Sequence, residues 1–273
     1  VCHQCGRGRA VPARCTESGC GNPLRPISAG TQRVESEVRR HFPTARIVRW
    51  DRDTARSVEQ HEANLRLFMD QEADVLVGTQ MVAKGLDFPR VTLVGVVYAD
   101  AGLNLPDFRS SERTFQFLTQ VAGRSGRGDL PGKVVLQTLY PEHYALVHAA
   151  AQDFDTFYDA EMATREELAY PPFSRISNLL FDGPREDRVM DAAGWVGDQL
   201  RDHPSFGSIR FMGPAPQPLS RLKGKYRWHL ALRHAQHAQL RGACEAALDA
   251  GAKRDRRFAG ERLSIDVDPV DLL

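Results

Sequence analysis

The sequence lacks any apolar run of membrane-spanning length. Its longest clean stretch, Leu93 to Ala99, falls far short of the roughly 20 residues a helix needs to cross a bilayer. It also lacks net charge: among 273 residues, 36 Lys and Arg stand against 35 Asp and Glu, and 42% of positions are hydrophobic. That composition excludes dominant disorder and suits about two globular domains. No apolar leader opens the chain. It starts on Val1 beside a Cys pair and reads as a piece of a longer protein. Beyond residue 20 cysteine is scarce. Cys244 stands alone in an apolar helical stretch and reads as core. Two nucleotide signatures are missing as well. Gly132-Lys133 and Gly224-Lys225 lack the upstream Gly and the following hydroxyl of a phosphate-binding loop, and no Asp-Glu dipeptide occurs. Without a phosphate cradle and a magnesium-holding acid, the chain is expected not to hydrolyse ATP by itself.

What is present divides into three stretches. Residues 1–27 are rich in Cys, Gly and Pro and have no helical or strand period, so they need a staple. Two pairs are available, Cys2-x2-Cys5 and Cys15-x4-Cys20, and clustered cysteines without a secretory signal point to metal before disulfide. Residues 28–169 alternate helical patterns (31–42, 58–71, 112–124, 143–152) with strand patterns (45–50, 74–78, 91–97, 133–138). That order predicts a parallel sheet with helical crossovers. The unbroken apolar runs at 74–78 and 91–97 predict strands buried on both faces. A helix over 154–168 is broken by Tyr170-Pro171-Pro172-Phe173. Residues 170–273 then read as a small α+β domain: strand 176–181, helix 188–201, strand 208–212, a basic loop, strand 228–232, helix 236–250 and strand 263–267.

Three groups of residues stand out chemically. The loop after strand 74–78 offers Gly78 and Gly85 for close backbone approach, Thr79 and Gln80 for hydrogen bonds, Lys84 as a cation and Asp87 as an acceptor. In an open parallel sheet, ligands bind beyond the carboxyl ends of strands. The set suits a phosphate backbone and a ribose hydroxyl, and equally an unliganded polar loop. Arg124 and Arg127 are three apart, so on a helix they point together. Such a pair meets either a transferring phosphoryl group or nearby acids such as Glu112 or Asp129. Finally, eleven Lys and Arg face four acids between Arg221 and Arg262. There Arg221, Lys223, Lys225 and Arg227 interleave with Tyr226 and Trp228. That pattern fits a phosphate track with ring stacking on unpaired bases. It also fits a strand whose aromatics share one core face while the cations are solvated.

Gly78–Phe88 and Gln120–Arg127 resemble motifs V and VI of superfamily 2 helicases. With Gly30-Thr31, Glu35, Arg49–Thr54, Asp107-Phe108-Arg109, Glu112-Arg113, Tyr170–Phe173, Tyr226–Trp228 and Asp266–Pro269, they follow the order and spacing of the PriA (primosomal protein N′) family, over essentially the whole chain. The resemblance implies an α/β fold: a RecA-like parallel-sheet second motor lobe, preceded by part of a Cys-rich zinc-binding segment and followed by the C-terminal α+β domain. It implies an ATP-dependent 3′-to-5′ DNA helicase that binds branched DNA at stalled forks and promotes primosome assembly in the bacterial cytoplasm, at the nucleoid. The implied partners are forked and single-stranded DNA, single-stranded-DNA-binding protein and primosome-loading proteins.

By this resemblance Arg124 and Arg127 face the γ-phosphate, Arg127 as the finger, and Gln120 couples nucleotide to DNA. Gly85 and Asp87 line the nucleotide and DNA side, and Thr79 touches the DNA backbone. Lys84 and the cations Arg221, Lys223, Lys225 and Arg227 are expected to contact DNA from their charge and setting. Cys2, Cys5, Cys15 and Cys20 hold zinc, while ATP and Mg2+ belong only to the intact protein. The chain departs from the family in having two Cys pairs rather than four, the second wider than usual. Two rival readings share the sequence: an inert scaffold that binds forks and recruits partners without ATPase, and a simple zinc-dependent nucleic-acid binder.

Overall fold

A computed structural model describes residues 12–24, 30–51, 54–55, 57–80, 88, 90–123, 131–252 and 260–272. The chain divides into two compact units, Ala13–Leu105 with Ser110–Tyr158, and Pro106–Arg109 with the chain from Asp159 onward.

In the first unit, α1 (Thr31–His41) leads to β1 (Ile47–Trp50), α2 (Val58–Met69) and β2 (Val75–Gly78). Helix α2 starts on a capping box, in which the Ser57 side chain accepts from the Gln60 backbone and Gln60 returns a bond to the Ser57 N–H. Strands β1 and β2 pair in parallel, Ile47 opposite Val75 and Trp50 opposite Gly78. Next come β3 (Leu93–Val96), α3 (Asp100–Leu103), α4 (Ser110–Ala122), β4 (Lys133–Leu136) and α5 (Tyr144–Ala151). Strands β3 and β4 form a second parallel pair. Parallel strands joined through helices are what the alternating pattern requires, and the α/β class holds.

The expected burial of both sheet faces does not hold for β3. Val96 and Leu136 pack on a core of Phe115, Leu118, Ala145, Leu146 and Phe157, but Leu93 is 60% exposed and Val135 49%. The reason is coverage. Among the described residues, each parallel sheet has two strands, and α4 and α5 cover one side of β3–β4.

Helix α6 (Phe154–Glu167) precedes the second unit's sheet. That sheet comprises β5 (Arg175–Gly183), β6 (Arg210–Leu222), β7 (Lys225–His234) and β8 (Arg262–Val267), with α7 (Glu186–Arg201) and α8 (His237–Ala252) between strands. It is antiparallel, in the order β6-β7-β5-β8. One face is buried under α7 and α8. Leu179, Phe181, Leu230 and Leu232 meet Val189, Val196, Leu240 and Ala243 there, all at most 2% exposed. Cys244 lies in this cluster, where burial pushes its thiol pKa up. The opposite face carries a smaller cluster of Ile176, Met212, Ala231 and Leu272, with Phe108 and Tyr170 packed on it.

One prediction is corrected here. The basic loop between strands 208–212 and 228–232 is itself sheet. Strands β6 and β7 run on to Leu222 and Lys225 and close on a two-residue turn. Lys223 and Gly224 both take positive φ, +50° and +81°, as the tightest twisted hairpins demand. Gly at the second position meets that demand at no steric cost.

Candidate nucleic-acid interface

The hairpin sorts its own residues. Alternation places Tyr226 and Trp228 on the face of Leu230 and Leu232, where both pack against the buried core. The aromatics therefore serve as sheet residues. Arg221, Lys223 and Lys225 are exposed, and Arg227 is half-buried. The Arg221 guanidinium lies 5.1 Å from the centre of the Tyr226 ring, its cross-strand partner. Lys225 Nζ reaches Asp182 Oδ1 at 2.6 Å. An ion pair this exposed contributes about 0–1 kcal/mol, so a phosphate can displace the carboxylate. From Phe211 to Trp228 the sequence holds no Asp or Glu. The structure thus gathers the four cations at one hairpin end, two of them flanking a turn that carries a third.

A second polar edge lies where β1 and β2 end side by side. Asp51 follows Trp50, and Thr79 follows its partner Gly78. The Asp51 carboxylate, 5% exposed, accepts from the Thr31 hydroxyl and from the Thr54 backbone N–H at 3.0 Å. Arg49 pairs with Asp51 at 3.1 Å and with Glu35 at 3.2 Å. The Trp50 indole N–H donates to His61 Nδ1. Thr31, Glu35, Arg49, Asp51 and Thr54, which belong to the quoted family pattern, thus form one latch. The available signal was Asp51-x-x-Thr54 directly after an apolar strand, a spacing suited to side-chain-to-backbone bonds. Thr79 and Gln80 are exposed at this edge. Lys84, Gly85 and Asp87 lie outside the described residues, as do Arg124 and Arg127. Gln120 is exposed on α4, while its neighbour Val121 is buried.

Cys15 and Cys20 sit on a tight turn. The Cys15 N–H donates to Asn22 O at 2.7 Å, and the Leu24 N–H to Ala13 O at 3.0 Å. Gly21, directly after Cys20, has φ +56°, a left-handed conformation that glycine adopts at no steric cost. The Cys20 thiol pKa is lowered by the Asn22 backbone N–H and then by the Cys15 thiol. Two thiols in mutual contact, one biased toward thiolate, fit half of a tetrahedral zinc set. Cys2 and Cys5 lie outside the described residues. Among those described, no group of three or more His, Cys, Asp or Glu is placed to hold a metal, and no helix is long and apolar enough to cross a membrane.

Comparison with known sequences defines the class first. Residues 30–129 match the helicase conserved C-terminal domain, and residues 166–270 match the primosomal protein N C-terminal domain. The relatives narrow it. The chain is 40% identical over 272 residues to the replication restart protein PriA of Bacillus subtilis, covering 100% of the chain and 33% of that protein. It is 40% identical to PriA of Synechocystis over 99% of the chain and 32% of that protein, and 38% identical to PriA of Treponema pallidum over 100% and 40%. The chain belongs to the PriA family, and it spans about a third of the length of the curated relatives it matches.

Proposed function

We propose that this chain is the second motor lobe and C-terminal domain of a replication restart protein that acts as an ATP-dependent 3′-to-5′ helicase at stalled forks. The observation that carries this reading is the unbroken match to replication restart proteins along the whole chain, across two consecutive domain types. Forked and single-stranded DNA are the substrates, single-stranded-DNA-binding protein and primosome-loading proteins the partners, and the bacterial cytoplasm the place of action.

In this reading the chain supplies positioning and charge. The hairpin cations Arg221, Lys223, Lys225 and Arg227 neutralise backbone phosphates and release counterions. Thr79, at the edge shared by β1 and β2, and Lys84 contact the strand being tracked. Gln120, near the end of α4, links that strand to the nucleotide. Gly85 and Asp87 line the nucleotide side. Arg124 and Arg127 stabilise charge on the γ-phosphoryl group held with Mg2+ by another lobe. Cys15 and Cys20, with Cys2 and Cys5, would hold zinc, whose role is to fold a segment that has little core of its own.

The test is a DNA-stimulated ATPase assay on the intact protein. Arg127→Ala is expected to lower turnover by about 10³-fold or more, the range of an arginine finger, with nucleotide binding nearly unchanged. An intact protein that binds forks but shows no ATPase at all would establish the scaffold reading instead.

A further inference from the structure

The sheet of the C-terminal unit carries positive charge at both ends of its β6–β7 pair. From His203 to Cys244 the sequence has no Asp or Glu, so neither strand contains an acid of its own. The hairpin cations lie where the two strands are joined. At the other end of the same strands, Arg210 stands directly opposite Arg233. Like charges at directly opposed positions destabilise a sheet, and a neighbouring carboxylate is the usual relief. Arg175, at the same end of β5, has one: its Nη1 lies 2.6 Å from Asp268 Oδ2. Neither Arg210 nor Arg233 forms an ion pair with any described residue.

The two arginines differ in setting. Arg210 is exposed on β6, an edge strand. Arg233 is 6% exposed. Its Nη1 donates to the Leu168 carbonyl at 2.7 Å, and its guanidinium lies 4.9 Å from the centre of the Tyr170 ring. A guanidinium has five N–H donors, and one carbonyl leaves most of them without an acceptor. Those donors are nonetheless not sealed from solvent in the way that Trp228 Nε1 is. Burial, and then the charge of Arg210, pull the Arg233 pKa below its ordinary value. A guanidinium held in place, with unused donors beside a second guanidinium, suits an anion with several oxygens, and a phosphoryl group matches such forks two bonds at a time.

The layout of β6 favours a polymer as the source of that group. Arg221 is exposed near the end of this strand and Arg210 at its start. Their partners on β7 are Tyr226 and Arg233, seven residues apart, a span of about 24 Å at 3.4 Å per residue. A nucleic-acid strand repeats its phosphates at about 3.4 Å of helix axis, so one backbone beside this edge meets both arginines.

We infer that Arg210 and Arg233 form a phosphate-binding site, the second anchor of a nucleic-acid track that starts at the hairpin. The inference rests on the DNA binding proposed above and adds where along the C-terminal unit the backbone is held.

The experiment is fluorescence anisotropy of a labelled single strand on the 273-residue chain, with no nucleotide present. Arg210 is exposed and opposed by a like charge, so Arg210→Ala leaves the fold intact, which circular dichroism checks. It is expected to weaken binding about tenfold, the worth of a hydrogen bond to a charged group. Arg241→Ala removes the same charge from an exposed position on α8, on the other side of the sheet. There the effect is expected to stay within about twofold, because salt screens distant charges. Lys225→Ala reports on the hairpin. If Lys225→Ala weakens binding and Arg210→Ala does not, the proposed function stands and this site is overturned. Equal losses from Arg210→Ala and Arg241→Ala also overturn it, since net charge then accounts for both. A wild-type chain that binds no DNA overturns the site and the hairpin track together. Melting with inorganic phosphate separates the remaining source. If phosphate stabilises wild type but not Arg210→Ala, while both bind DNA equally, the ligand is free phosphate and the second anchor is overturned.

Discussion

Asp74 shows how much a single side chain can hold. Its carboxylate accepts the Arg46 backbone N–H at 2.8 Å, Nε at 3.1 Å and Nη2 at 2.7 Å, and Nη2 also donates to the Gln71 carbonyl. These bonds tie the entry of β1 to the entry of β2. They also hold the Asp74 pKa down, from the ordinary 3.8 to about 2, chiefly through the Arg46 side chain. A carboxyl with a depressed folded pKa lends stability above its unfolded value and loses it as pH falls through the folded one. The contribution is therefore full above about pH 4 and lost near pH 2. Asp74→Asn is expected to flatten the acid limb of stability in that window and little else, because both partners are about half exposed and water screens them. Urea midpoints measured from pH 7 to pH 2 would show it, and an acid limb equal to wild type would remove Asp74 as its source. At this scale the sequence was only partly legible. Asp51 and Thr54 stand in a recognisable run, but Thr31, which donates to Asp51, lies 20 positions upstream, and Glu35, which pairs with Arg49, lies 14 upstream of it. Only the pairing of β1 beside α1 brings them together.

At the scale of elements, the β6–β7 hairpin carries the argument for nucleic-acid contact. Lys223 occupies a turn position with φ +50°, where Asn or Gly is the favoured residue. A non-glycine residue in that conformation costs on the order of 1 kcal/mol. The Lys223 side chain is exposed at this turn. Lys223→Asn is expected to raise the stability of the chain by about 0.5–1 kcal/mol. It should also weaken forked-DNA binding and reduce the slope of log affinity against log salt by about 0.9. Thermal unfolding and a salt series of fluorescence anisotropy read the two effects separately. A variant that is more stable with an unchanged salt slope would take Lys223 off the phosphate track. The sequence showed the cations and the alternating aromatics, and both survive in the structure. It did not show the hairpin, because Pro214, Pro216 and Pro218 lie in what became β6. Proline argues against a strand, and β6 accommodates it at the sheet edge, with register shifts after Met212 and Pro216.

At the scale of the whole molecule, each unit has a core of its own. The C-terminal sheet buries a complete apolar cluster under α7 and α8, with no contribution from the cysteine turn. Forked-DNA binding by the hairpin is therefore expected to survive a zinc chelator, with affinity within about twofold, while the salt dependence stays steep. Loss of DNA binding on chelation, with the C-terminal unit still folded by circular dichroism, would favour the simple zinc-dependent binder.

Periodicity and composition alone determined the helices, the parallel pairs and the small α+β domain, because apolar spacing is a local property that each segment carries with it. They also brought the cysteines, Thr79 and the hairpin cations to notice. Tertiary structure decided the rest: that Tyr226 and Trp228 face a core, that Leu93 does not, that the basic stretch is a hairpin, and that Asp107 binds the backbone of Leu272. Each of these depends on which distant segment arrives to cover a face or satisfy a buried polar group, and no local pattern encodes that arrival.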